Sequence, residues 1–175
     1  MTSSARHRVN WLREALETIV PAILVALLIN LFLAQATRVY GQSMEPALQT
    51  NQRLVVEKVS YRLHPPRRGD VVVIKLPQHP VELLIKRVVG LPGETVEVRD
   101  GEVWINGQVL QEPYVAQLTQ GSMAPRVVPE GMIFVLGDNR GYSNDSRSFG
   151  PVPLENVVGR AVFSYWPPGT IGFVQ

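Results

Sequence analysis

Ser43 stands in the run Val39-Tyr-Gly-Gln-Ser-Met-Glu-Pro-Ala-Leu48, behind a glycine and an extended segment and ahead of Met44 and Pro46. A serine hydroxyl becomes a useful nucleophile only when a neighbouring group takes its proton. The chain narrows the choice of that group. It has no cysteine, which excludes a thiol nucleophile, a disulfide framework and thiolate zinc sites. Its 17 basic residues include just three lysines, Lys58, Lys75 and Lys86. Arginine does not lose its proton at any useful pH, whereas a buried lysine can. His7 precedes a long apolar segment, and His64 and His79 each precede a proline in loops with no aspartate partner in sight. These histidines read as solvated, and no metal or cofactor is expected.

Lys86 lies in Leu83-Leu84-Ile85-Lys86-Arg87-Val88-Val89. Strand alternation puts it on the face of Leu84 and Val88, with Arg87 on the face of Ile85 and Val89, and one of the two faces should point inward. On an inward face, desolvation would lower the lysine pKa by about 2–3 pH units from its free value of about 10.4. Each unit raises the proton-accepting fraction about tenfold near neutrality. Lys75, at the end of Val71–Leu76, meets the same argument, and the pattern alone does not choose between them. An exposed strand lysine is the commoner fate of either. A second polar cluster, Gly137-Asp-Asn-Arg-Gly-Tyr-Ser-Asn-Asp-Ser-Arg-Ser-Phe-Gly150, sits between apolar runs. Its Asp138/Arg140 and Asp145/Arg147 spacings could fix a loop, leaving Ser143 to hydrogen-bond the amine of a buried lysine. Exposed, such pairs would contribute little.

Positioning these residues falls to two kinds of element. From Ile19 to Ala36 no residue is charged, and 18 residues of helix rise about 27 Å, close to a bilayer's hydrocarbon thickness. Pro21 is expected in the first turn of that helix. Arg6, Arg8 and Arg13 precede it, so the N-terminus is expected in the cytoplasm and the following domain outside. A cleavable secretory signal ending at Ala34-Gln35-Ala36 is the competing reading, disfavoured because the apolar run is longer than the usual ~7–15 residues. The expected divisions are a cytoplasmic tail over 1–18, a single-pass anchor over 19–36 and an extracytoplasmic catalytic β-domain over 37–175, with a variable hairpin subdomain at about 95–130.

After Thr37 the pattern turns to short β-rich runs divided by Gly, Pro and Asp. Strands are expected at Arg53–Val59, Val71–Leu76, Val81–Val89, Glu94–Arg99, Glu102–Ile105, Gln108–Leu110, Met132–Leu136 and Val157–Trp166. Asp100-Gly101 and Asn106-Gly107 are hairpin turns. Residues 112–130 read as a surface excursion. The fold class is mainly β, an antiparallel sheet or partly closed barrel behind an N-terminal transmembrane helix. Beyond Thr37 the 14 basic and 13 acidic residues nearly balance, so no nucleic-acid partner is expected.

In their order and spacing, Ser43-Met44 with Pro46, Arg68-Gly69-Asp70-Val71-Val72, Lys86-Arg87-Val88-Val89-Gly90-Leu91-Pro92-Gly93, and Gly137-Asp138-Asn139-Arg140 followed by Ser143 and Asp145-Ser146-Arg147 resemble the motifs of bacterial type I signal peptidases, family S26. The resemblance runs from the anchor to about Phe163 and is weakest over residues 95–130. It implies a Ser-Lys dyad with Ser43 as nucleophile and Lys86 as general base, which favours Lys86 over Lys75. It further implies Ser143 as the serine that orients the lysine, Asp145 and Arg147 as a loop-fixing salt bridge, and Asp138, Asn139 and Arg140 as scaffold. Some members carry a serine two residues before the nucleophile as an oxyanion donor; here Gly41 stands there, so the Ser43 backbone N–H needs a second donor from elsewhere. Substrates would be the signal peptides of exported preproteins, at the surface of the cell membrane's lipid bilayer. Small residues at substrate positions −1 and −3 would meet shallow pockets made by Val39, Gly41, Met44, Leu48, Leu84 and Ile85. Ala34-Gln35-Ala36 fits that preference, so self-cleavage is conceivable. The alternatives are a self-cleaving repressor of the related Ser-Lys type, which lacks support from any DNA-binding helix pair, and a membrane-anchored β-domain that only binds a partner.

Overall fold

The computed structural model describes residues 3–28, 34–76 and 79–174. Helix α1 runs Ser3–Leu28 and carries Pro21 in its body rather than in a first turn. No helix among the described residues is long and apolar enough to cross a membrane. The sequence-based span differs from this: 29–33 lie outside the described residues, and Ala34–Ala36 belong to a strand.

The strands are β1 Ala34–Arg38, β2 Arg53–Glu57, β3 Val71–Leu76, β4 His79–Gly90, β5 Thr95–Arg99, β6 Glu102–Ile105, β7 Gln108–Val109, β8 Met123–Val127, β9 Met132–Leu136, β10 Val152–Pro153, β11 Val157–Trp166 and β12 Gly172–Phe173. Two four-residue helices, α2 Ser60–Leu63 and α3 Ser146–Phe149, interrupt them. The larger sheet has the order β1-β2-β11-β3-β4-β9-β10 with β12 on β11, and a smaller one has the order β7-β6-β5-β8. Every pairing is antiparallel. Among the described residues no pairing joins the first and last strands of the larger sheet, so of the two expected forms the antiparallel sheet is observed and no closed barrel forms.

Successive side chains of a strand point to opposite faces, and in β3 both faces are covered. Val71 and Val73 join Val39, Met44, Leu48, Leu54, Val56 and Ile85 in one apolar cluster. Val72 and Ile74 join Val88, Ile133, Val135 and Val152 in another. A third cluster packs Val89, Phe134 and Leu136 against Val96, Val98, Val103 and Ile105, which fastens the small sheet to the large one. Central β4 is likewise buried on both faces: Lys86 is 3 % exposed and Arg87 2 %. The inward face expected for Lys86 is thus observed, and the Arg87 face is buried as well, because packed clusters cover both sides of this strand.

The β4 ladder is uneven. It pairs with β3 from Leu76↔His79 to Val71↔Arg87, with a register shift after Lys75, but with β9 only from Arg87↔Leu136 to Gly90↔Phe134. Ahead of Arg87, one hydrogen-bonding edge of β4 therefore has no strand partner among the described residues. Among these elements β1 is also terminal in the sheet.

Candidate active site

Val39 hydrogen-bonds back to Gln52 at the foot of β2, and between them the chain makes a tight excursion that carries the nucleophile candidate. Gly41 opens it with φ of +77°, a conformation that L side chains rarely adopt. That backbone demand accounts for a glycine at this position. Met44 is 1 % exposed and anchors the excursion in the core, and Leu48 N–H bonds the Met44 carbonyl at 2.8 Å. Ser43, held between these anchors, is half-buried.

Lys86 Nζ donates to Ser43 Oγ at 2.7 Å and to the Ile85 carbonyl at 3.1 Å. Desolvation by burial lowers its pKa to about 8, against the opposing pull of Asp145, Asp138 and Glu82. Lys75 is exposed on β3, three residue pairs further along the ladder, where it faces Leu83. Geometry thus separates two lysines that pattern could not. His64 turns its ring to the Pro65 carbonyl at 3.0 Å, and the side chains of His7 and His79 lie outside the described residues.

The polar cluster after β9 packs behind Ser43. Asn139 N–H donates to the Ser43 carbonyl at 3.0 Å. Asp145 is fully buried; it caps α3, accepts from Gly137 N–H at 3.1 Å and forms the expected ion pair with Arg147 at 2.8 Å. Asp138 and Arg140 do not pair with each other. Asp138 takes a two-point bond from Arg87, at 2.8 and 2.6 Å, while Arg140 bonds Glu112, Thr119 and the Gly137 carbonyl. Sequence spacing overlooked Arg87 as the partner because the pair is made across the β4–β9 ladder, where Arg87 faces Leu136. Burial raises the Asp138 carboxyl while Arg87 lowers it, and desolvation is the larger. Ser143 Oγ is buried without a hydrogen-bond partner, and the Lys86 amine goes to Ser43 and Ile85 instead.

Gly137 has to be glycine for want of space. A Cβ there would overlap Ser143 Oγ and the Ser43 carbonyl oxygen. Gly137→Ala is therefore expected to displace the Ser43 peptide and to reduce turnover by about tenfold or more, with a loss of about 1–3 kcal/mol in stability. Turnover measured beside a urea melt checks both.

A cavity of about 320 Å³ is lined by Thr37, Arg38 and Tyr40 on one side and Glu82, Leu83, Leu84 and Ile85 on the other. Of the side chains expected to form pockets, Leu84 and Ile85 line it. Val39, Met44 and Leu48 pack in the apolar cluster that also contains Ile85, and Gly41 is exposed in its turn. A larger cavity of about 570 Å³, bounded by Pro46, Leu48, Tyr114 and Phe173, includes neither Ser43 nor Lys86 among its lining residues. The Arg68-Gly69-Asp70 loop is scaffold: Gly69 N–H bonds the Val88 carbonyl, Arg68 pairs with Glu94, and Arg87 donates to the Gly69 carbonyl.

Residues 12–166 match the family described as signal peptidase, peptidase S26. A signal peptidase I of Leptolyngbya laminosa is 45% identical over 172 residues, spanning 92% of this chain and 83% of that protein. Thylakoidal processing peptidase 1, chloroplastic, of Arabidopsis thaliana is 41% identical over 86% of this chain and 47% of its own length. The crystal structure of a signal peptidase I from Enterococcus faecalis superposes with a TM-score of 0.51 at 38% identity, covering 55% of this chain and 97% of that one. With a buried amine against a serine hydroxyl, and with this match over most of its length, the chain belongs to the signal peptidases of peptidase family S26.

Proposed function

We propose that this chain is a serine endopeptidase that removes N-terminal signal peptides from exported preproteins by a Ser43–Lys86 dyad. The observation that carries the reading is the 2.7 Å contact between a nearly inaccessible amine and the Ser43 hydroxyl. Unprotonated Lys86 takes the hydroxyl proton as Ser43 Oγ attacks the scissile carbonyl, then returns it to the leaving amine. Water, activated by the same amine, hydrolyses the acyl-enzyme. Ser143, whose buried hydroxyl has no hydrogen-bond partner among the described residues, takes up the lysine as its proton load changes; the resemblance supports this role. The Asp145–Arg147 pair and Asp138, Asn139 and Arg140 hold the loop that carries Ser143.

The substrate enters as an added strand, between β1 and the unpaired edge of β4, over the cavity of Thr37, Arg38, Tyr40 and Leu83–Ile85. A cleft of this size with apolar leucine and isoleucine walls favours small side chains at −1 and −3. The oxyanion is met by the Ser43 N–H and a second donor supplied from the Gly41 turn or by the substrate-bound state. Anchorage as a single-pass membrane protein, with the N-terminus cytoplasmic and the β-domain outside, rests on the uncharged stretch from Ile19 to Ala36 and the arginines before it. Ala34-Gln35-Ala36 meets the same −1/−3 preference but forms β1 with Ala36 opposite Val55. Cleavage after Ala36 would thus require that strand to leave the sheet.

Incubated in detergent micelles with a preprotein bearing alanine at −1 and −3, the full chain is expected to release the mature protein with its new N-terminus directly after −1. The pH dependence follows from the lysine. Its pKa is lowered to about 8, so the protonated form dominates below that value. kcat/KM should climb with pH and level off above about 8. A rate that is flat from pH 6 to about 9, or that falls over that range, overturns lysine as the base.

A further inference from the structure

The segment after β7, which sequence reading treats as surface, reaches the residues behind Ser43. Both carboxylate oxygens of Glu112 accept from Arg140, at 2.7 and 2.9 Å, and Thr119 Oγ1 accepts from it at 2.8 Å. The Tyr114 hydroxyl donates to Glu112 at 3.0 Å, and its ring lies 4.0 Å from the guanidinium carbon of Arg87. The Arg140 side chain is 1 % exposed, so without Glu112 a buried cation would be left with neutral acceptors.

Each arginine leads to the nucleophile by a short route. Arg140 Nε holds the Gly137 carbonyl at 3.0 Å, and the Gly137 α-carbon faces the Ser43 carbonyl. Arg87 holds Asp138, and the next peptide, through Asn139 N–H, holds the Ser43 carbonyl. The two routes leave from neighbouring residues of one segment and meet at one peptide group.

We propose that Glu112 and Tyr114 are positioning residues for the peptidase reaction, a clamp that fixes Arg140 and Arg87 and through them the Ser43 peptide opposite Lys86. The proposal rests on the reading of Ser43 and Lys86 as the dyad. In the full chain assayed in detergent, Tyr114→Ala is expected to lower kcat by about 10–100-fold, with KM changed by less than about twofold. Tyr114→Phe, which keeps the ring over Arg87, should recover most of that loss. Val103→Ala, in the apolar core of the small sheet, supplies a control that lowers Tm without moving kcat at temperatures well below it.

The clamp is refuted if Tyr114→Ala turns over like wild type, if its loss appears in KM alone, or if Val103→Ala loses as much kcat at a matched Tm. Should Tyr114→Ala fail to fold, Tyr114→Leu, which keeps apolar bulk but neither the ring nor the hydroxyl, takes its place in the same comparison. Ser43→Ala and Lys86→Ala run beside them separate the two claims. If both are inactive while Tyr114→Ala is not impaired, the clamp alone falls; if either cleaves at the wild-type rate, the dyad falls.

Discussion

Lys86→Ala and Ser43→Ala are each expected to reduce preprotein cleavage by about 10³-fold or more, and the double variant no further than the worse single one. General-base catalysis contributes about 10²–10⁴-fold, and groups that act as one unit lose most of their effect when either is removed. The physical basis is the state of one amine. At a pKa of about 8, about one lysine in ten is an acceptor at pH 7; at its free value the figure is about one in three thousand. Lys75, exposed on β3, offers no substitute. Lys86→Arg is the sharper variant, since it keeps length and charge yet cannot accept the proton. Initial rates of preprotein cleavage in detergent decide the matter: persistence of activity in Lys86→Arg would remove the amine from the mechanism.

Asp138→Ala is expected to cost about 3–5 kcal/mol of folding stability, because it removes the carboxylate that takes a two-point bond from the buried Arg87 guanidinium. The two side chains are 0 % and 2 % exposed, so water cannot replace the lost carboxylate. For a chain of this size that corresponds to a fall in Tm of about 10 °C or more. The double variant Arg87→Met with Asp138→Leu should lose less than Asp138→Ala alone, since it removes the buried cation together with the buried carboxylate. Urea unfolding of the three proteins tests this, and equal losses in single and double variants would show the pair to be dispensable.

Sequence reading succeeded where local chemistry dictates structure. Val71–Leu76, Glu102–Ile105, Met132–Leu136 and Val157–Trp166 agree to the residue, because apolar runs bounded by Gly, Pro and Asp leave little choice. Asp100-Gly101 and Asn106-Gly107 adopt positive φ at both positions, as two-residue hairpin turns demand. It missed β8, whose Met-Ala-Pro-Arg-Val is mostly exposed and contains proline, and β1, whose Ala-Gln-Ala looks like the end of an apolar helix. The same limits govern the site. Ser43 and Lys86 are 43 residues apart, and only the resemblance joined them before the geometry did. Asp145–Arg147 is local and was legible. Arg87–Asp138 and Glu112–Arg140 depend on which strands lie side by side, information that no spacing within one segment carries.

The buried amine also makes its own contribution to the protein's endurance depend on alkalinity. Unfolded, Lys86 regains the ordinary value of 10.5, above the roughly 8 that it has in the folded chain. Below pH 8 both forms carry the proton, and the native form bears the whole penalty of an ammonium without water, about 3 kcal/mol. From about 8 to 10.5 the unfolded chain binds more protons, so the native form gains as alkali is added, and above that range the handicap is gone. Through Lys86 alone, the fold is thus favoured least in the neutral and acidic range where that catalytic group is also mostly idle.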